Sequence, residues 1–171
     1  MISCNFPKVF KIHDGLLLGL TGLATDIQTF AKYMKMQANL YKLREHRDIR
    51  PKVFANLVAS VLYSKRFGPY FIEPIIAGLE EDGTPYIANT DLIGCIGDED
   101  NFLCCGTGDE MLLGACESFY RDGMESDELF EVCAQSLMSG TDRDAYSGWG
   151  GVVYVITPQG ITAKTLKTRM D

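Results

Sequence analysis

The densest set of chemically able side chains beside glycine is Asp142-Arg143-Asp144-Ala145-Tyr146-Ser147-Gly148. Asp144 and Ser147 are spaced to orient the amine or hydroxyl of a nucleophile. The same residue types also serve in loops that satisfy their own backbone donors. Cys104 and Cys105 end an expected strand and precede a helix start, where the helix terminus lowers a thiol's pKa. Neither has a histidine in predictable relation to it. The two histidines, His13 at a turn and His46 at a helix end, read as surface residues. Asp91-Leu92-Ile93-Gly94-Cys95 follows a strand and precedes the acidic Asp98-Glu99-Asp100. A carboxylate beside a small thiol on an exposed turn can line a pocket for a basic group; a solvated turn accounts for it equally well.

Other chemistries are excluded by pattern. There is no phosphate-binding P-loop, no G-x-S-x-G elbow and no H-E-x-x-H. Gly148-Trp149-Gly150-Gly151 precedes a strand instead of following one, so it is not a dinucleotide fingerprint. Six scattered cysteines (Cys4, Cys95, Cys104, Cys105, Cys116, Cys133) contain no C-x-x-C, which argues against a structural metal and a disulfide scaffold. They read as reduced thiols packed in a core, and no cofactor is implied.

The elements that must position these residues follow from periodicity. Lys8 to Ile12 alternates, turns at His13-Asp14-Gly15 and returns as a buried strand from Leu16 to Leu20. Thr21-Gly22 opens a long helix with Leu23, Ile27, Phe30, Met34, Ala38 and Tyr41 on one stripe, fraying near Arg47-Asp48. Pro51 begins a second helix, with Val53, Leu57, Val58, Val61 and Leu62 as its apolar face. Strands are expected over 74–79, 85–88 and 101–105. Thr107-Gly108-Asp109-Glu110 fits a capping box that opens a third helix, and Ser126 reads as the cap of a fourth. Val152 to Ile156 and Ile161 to Leu166 form a last hairpin around Pro158-Gln159-Gly160. The order ββαα, βββ, αα, ββ predicts a single layered domain over 1–171, with antiparallel sheets and helix pairs outside them.

The 171 residues are 46% hydrophobic and 23% charged, an ordinary globular balance. The net charge of −7 argues against nucleic acid as the main partner. It is unevenly placed: residues 1–70 carry +7 and residues 71–171 carry −14. This suits either a basic and an acidic flank that pack side by side with similar neighbours or, as the better account of the charge alone, the solvated faces of helices and turns. No apolar run approaches a membrane span of ~20 residues, and the first residues lack the pattern of a signal peptide. The chain is expected to be soluble and intracellular.

Several ordered segments together carry a resemblance. They include Gly19-Leu20-Thr21-Gly22-Leu23-Ala24-Thr25-Asp26, Lys65-Arg66-Phe67-Gly68-Pro69-Tyr70, Asp91-Leu92-Ile93-Gly94-Cys95, Asp142-Arg143-Asp144-Ala145 and Leu166-Lys167-Thr168-Arg169-Met170-Asp171. The chain resembles the β-type subunits of the eukaryotic proteasome core particle, in the N-terminal nucleophile hydrolase family. The resemblance implies an α+β fold, a four-layer αββα sandwich of antiparallel sheets, with the family's first two strands missing from this sequence. Active members use an N-terminal threonine, and none can be matched here. Asp144 and Ser147 match residues that flank that nucleophile, and Cys105 replaces the serine of a Ser-Gly-Thr segment. Trp149 stands where active relatives carry glycine, so an indole would crowd the site. Asp144, Ser147 and Cys105 are then remnants, and the subunit type implied is non-catalytic. Asp91 and Cys95 would border the substrate pocket of the adjoining catalytic type-2 β subunit and favour basic peptide side chains. The partners implied are other α- and β-type subunits, with types 2 and 4 adjacent, and peptide substrates through the neighbour's pocket. The setting implied is ATP- and ubiquitin-dependent protein degradation in cytoplasm and nucleus. The rival is a free-standing hydrolase that uses Cys105 or Ser147 as nucleophile.

Overall fold

The structure, a computed structural model, describes residue 3, residues 5–97 and residues 101–170. Cys4 and the acidic run 98–100 lie outside the described residues. The chain divides into two compact units, residues 6–100 and residues 101–171 together with the first five.

In residues 6–100, β1 (Val9–His13) and β2 (Leu16–Gly22) form the expected hairpin. The sheet continues antiparallel through β3 (Ile72–Leu79) and β4 (Pro85–Thr90) to a short β5 (Ile96–Gly97), in the order β1-β2-β3-β4-β5. No expectation covered β5, whose two residues are too few to show alternation. Helices α1 (Ala24–Glu45) and α2 (Pro51–Ser64) pack on this sheet. Their stripes, with Ile27, Phe30, Met34, Phe54, Val58 and Leu62 fully covered, meet Leu16, Leu18, Leu20, Ile72 and Ile76 from the strands.

Two details correct the sequence reading. The first helix does not open at Thr21-Gly22: β2 runs through Gly22, and α1 starts at Ala24. Gly22 has φ +115°, and a Cβ there would stand 2.2 Å from the Phe71 carbonyl oxygen. Only glycine lets the strand end this close to its neighbour. On α2 the stripe is rotated toward Phe54 and Ala55, which are buried, while Val53, Leu57 and Val61 are half-buried at its flank.

His13 is not merely a surface residue. Its ring is half-buried, with Nδ1 accepting from the Gly15 N–H at 3.1 Å and Nε2 2.8 Å from the Ile49 carbonyl oxygen. Those partners place the proton on Nε2, and the ring ties the first hairpin to the loop between the helices.

Residues 101–170 contain α3 (Asp109–Phe119), α4 (Ser126–Thr141) and the hairpin β6 (Gly151–Thr157) with β7 (Gly160–Leu166). Helix α3 packs on α4 and α4 on β6. The helix contact is close: a Cβ at Gly140 would stand 2.5 Å from Leu112 Cδ2. Residues 102–105 do not form the expected strand. Neither expected cap forms either. Gly108 precedes α3 and Glu125 precedes α4, with no side-chain cap bond at either, and Ser126 is already helical. Acidic residues still occupy both first turns, Asp109 and Glu110 in α3 and Asp127 and Glu128 in α4, where the helix dipole favours them. With two antiparallel sheets and two helix pairs, the described residues have the α+β composition expected.

Candidate functional site

The hydroxyl expected to cap α3 is engaged elsewhere. Thr107 Oγ1 donates to Asp144 Oδ2 at 2.5 Å, and Ser147 Oγ donates to the same oxygen at 2.6 Å. The two hydroxyl oxygens lie 3.2 Å apart. Asp144 Oδ1 accepts the Tyr146 N–H at 3.0 Å, and the Asp144 N–H donates to the Thr141 carbonyl at 3.2 Å. A Cβ at Gly108 would come within 3.3 Å of Asp144 Oδ2, so the start of α3 sits tightly on this carboxylate. The cluster therefore joins the approach to α3 with the loop after α4.

Sequence reasoning paired Asp144 with Ser147, and the structure brings them together. It missed Thr107, because a Thr-x-x-Glu spacing is satisfied equally by a cap and by a hydroxyl turned outward. Cys105 lies two residues before Thr107 and is half-buried.

The chemistry open to this cluster is limited. A carboxylate is a weak base toward an alcohol, whose proton it holds only by hydrogen bonding. Residues 101–171 contain no histidine that would serve as the usual intermediary. Trp149 follows with φ +58°, a left-handed conformation costly for a bulky side chain. Its indole is 40% exposed.

The Cys104 thiol is not activated. Cys104 Sγ lies 3.8 Å from Cys116 Sγ. Burial, with the neighbouring Cys116 thiol, pushes Cys104 up to about 12. Desolvation thus outweighs any help from the start of α3. Cys95, Cys104, Cys105, Cys116 and Cys133 are all thiols, as expected, but none is in the core: Cys95 and Cys133 are exposed and the others half-buried. Among the described residues, no group of three or more His, Cys, Asp or Glu is arranged to hold a metal ion.

The second candidate lies in residues 6–100, in the turn between β4 and β5. Asp91 Oδ1 accepts the N–H of Ile93 at 3.0 Å and of Cys95 at 2.7 Å. The Asp91 N–H donates to the Cys95 carbonyl at 3.2 Å, and the Gly94 N–H to the Asp91 carbonyl at 3.1 Å. The aspartate thus folds its own loop and holds Cys95 beside it. Gly94, at φ +87°, closes the turn against α2, where a Cβ would meet the Ala59 carbonyl oxygen at 2.3 Å. Both Asp91 and Cys95 are exposed. One carboxylate oxygen works for the loop, and the carboxylate as a whole still presents a negative charge to solvent.

Among the described residues, no helix is long and apolar enough to cross a membrane. Residues 1–156 match the family described as proteasome subunit. The chain is 52% identical over 170 residues to the proteasome subunit beta type-3 of Picea mariana, covering 99% of this chain and 83% of that protein. It is 53% identical, with the same coverage, to the probable proteasome subunit beta type-3 of Schizosaccharomyces pombe. Identity to the proteasome subunit beta type-3 of Drosophila melanogaster is 51% over 171 residues, again covering 99% and 83%.

Proposed function

The chain belongs to the proteasome subunit family, and we propose that it is a non-catalytic, structural β-type subunit of the proteasome core particle. The observation that carries this is identity of about half, over nearly the whole chain, to relatives named beta type-3 in a plant, a fungus and an animal. In this role it takes part in ATP- and ubiquitin-dependent protein degradation, in cytoplasm and nucleus. It packs among α- and β-type subunits, types 2 and 4 beside it, and has no peptidase activity alone.

The remnant cluster supports the last point. Asp144 accepts from both neighbouring hydroxyls and from a backbone N–H, so it acts as the knot of a turn. The rival, a free-standing hydrolase, needs Ser147 or Cys105 as nucleophile. Native isolation separates the two. The subunit reading expects the chain in a large particle with α- and β-type relatives, and no peptide hydrolysis by the purified chain. A free monomer whose hydrolysis disappears on Ser147→Ala or Cys105→Ala would establish the rival.

Within the particle, Asp91 and Cys95 line the substrate pocket of the adjacent type-2 subunit, where the carboxylate attracts basic peptide side chains. Asp91→Asn isolates the charge, because the amide oxygen still accepts from Ile93 and Cys95. Cleavage after basic residues is expected to fall about fivefold, the worth of roughly 1 kcal/mol for a charge pair in a partly wet cleft. Other cleavages stay unchanged. An equal rate on basic substrates would remove Asp91 from the pocket.

A further inference from the structure

An open groove of about 860 Å³ runs between edge strand β1 and helix α1. Its apolar surface comes from Phe10, Met36, Leu40 and Leu43. Leu43 is 72% exposed and Met36 46%. The charged side chains lining it are all lysines: Lys11, Lys32 and Lys35. Lys11 pairs at the rim with Asp14 at 2.6 Å. Lys35 Nζ donates to the Lys11 and Ile12 carbonyls at 2.9 and 2.5 Å, which anchors its ammonium over the end of β1. Lys32 is exposed at the groove and, among the described residues, makes no hydrogen bond or ion pair.

The geometry points to a docking site for an acidic segment with apolar anchors, contributed by a neighbouring subunit. This rests on the subunit reading above. With Lys11 paired to Asp14, Lys32 and Lys35 beside the apolar surface leave a positive field that a carboxylate-bearing segment would complement. The aliphatic side chains offer a place for apolar anchors, which a bare anion or a phosphate backbone would leave uncovered. Lys35 blunts the end of the edge strand, so the segment docks through its side chains and does not add a strand there.

The test places a photo-crosslinking phenylalanine analogue at Met36 of the full chain, expressed in its own cells, with the native particle isolated after irradiation. The expected product joins Met36 to one segment of another subunit that carries both carboxylates and apolar residues. Lys32→Glu should lower the crosslink yield at least about fivefold, and Lys32→Arg should retain it, as expected for charge complementarity. A chain that never enters a large particle overturns the subunit reading and the groove together. A chain inside the particle that crosslinks at Met36 to lipid, to a segment without carboxylates, or to nothing overturns the groove alone.

Discussion

Residues 6–100 gather seventeen buried apolar residues into one cluster. In residues 101–170, among those described, only Ala134 and Val153 are buried apolar residues, and α3 has no buried residue. The helices do not differ that way in sequence: α2 and α3 both carry an apolar stripe. What differs is the surface each one meets. Helices α1 and α2 lie on a five-stranded sheet, whereas α3 lies on another helix, with a two-stranded hairpin beyond it. Met111, Leu113 and Phe119 of α3 therefore stay about half exposed. An amphipathic pattern states that a face is meant to be covered, not that the same chain covers it. The first region holds its own core, and the second carries apolar surface of the kind that assembly buries.

The largest effect expected from this contrast is at Phe54, which is fully buried. Phe54→Ala should cost about 3–5 kcal/mol in chemical denaturation. Leu113→Ala on α3, 52% exposed in this chain, should stay within about 0.5 kcal/mol. Equal losses would break the comparison. Next is Gly22→Ala, which puts a Cβ against the Phe71 carbonyl at positive φ. A loss of about 1–3 kcal/mol is expected for the forced backbone, read as a lower melting temperature. An unchanged melting temperature would mean that the end of β2 adjusts freely.

A smaller effect belongs to Thr107→Val, which removes one hydroxyl from Asp144 while keeping the shape of the side chain. About 1 kcal/mol is expected, and no change in activity. A change in peptide hydrolysis without a change in stability would return the cluster to catalysis. The smallest effect concerns Cys104. Its folded thiol titrates at about 12 against an ordinary 9.0, so the folded state holds the proton more tightly. Stability from this group is full below pH 9 and declines as pH rises toward 12. Because the side chain is only half-buried, the decline should be shallow. Denaturation midpoints of the natural chain and Cys104→Ser, compared at about pH 8 and about pH 10, should converge at the higher pH. Parallel curves would mean that this interior does not shield the thiol.

Much of the fold was legible because its signals are local. Asp14-Gly15 marks a hairpin, Pro51 marks a helix start, and the three- and four-residue spacing from Ile27 to Ala38 marks the buried side of α1. The failures come where one residue type has two uses. Thr107 and Ser126 both looked like caps, yet Thr107 is claimed by Asp144 from 37 residues away, and Ser126 sits one residue inside its helix. Phe102 to Cys105 has strand composition but no strand structure; Phe102 instead packs its ring 5.6 Å from that of Tyr120. For the candidate sites, the Asp91 turn was readable because its donors lie within four residues. The partnership of Thr107 with Ser147 was not, since forty residues separate them.

Trp149 has an optical consequence. It is the only tryptophan in the chain, and it follows α4 in the thinly cored region. Indole emission therefore reports residues 101–170, while far-ultraviolet ellipticity is weighted toward the 22-residue α1 in the other region. One sample followed by both signals yields two denaturation curves. If they superimpose, the whole chain melts as one cooperative body. If the emission curve moves first, the region with little buried core loosens while the five-stranded sheet and its helices still stand.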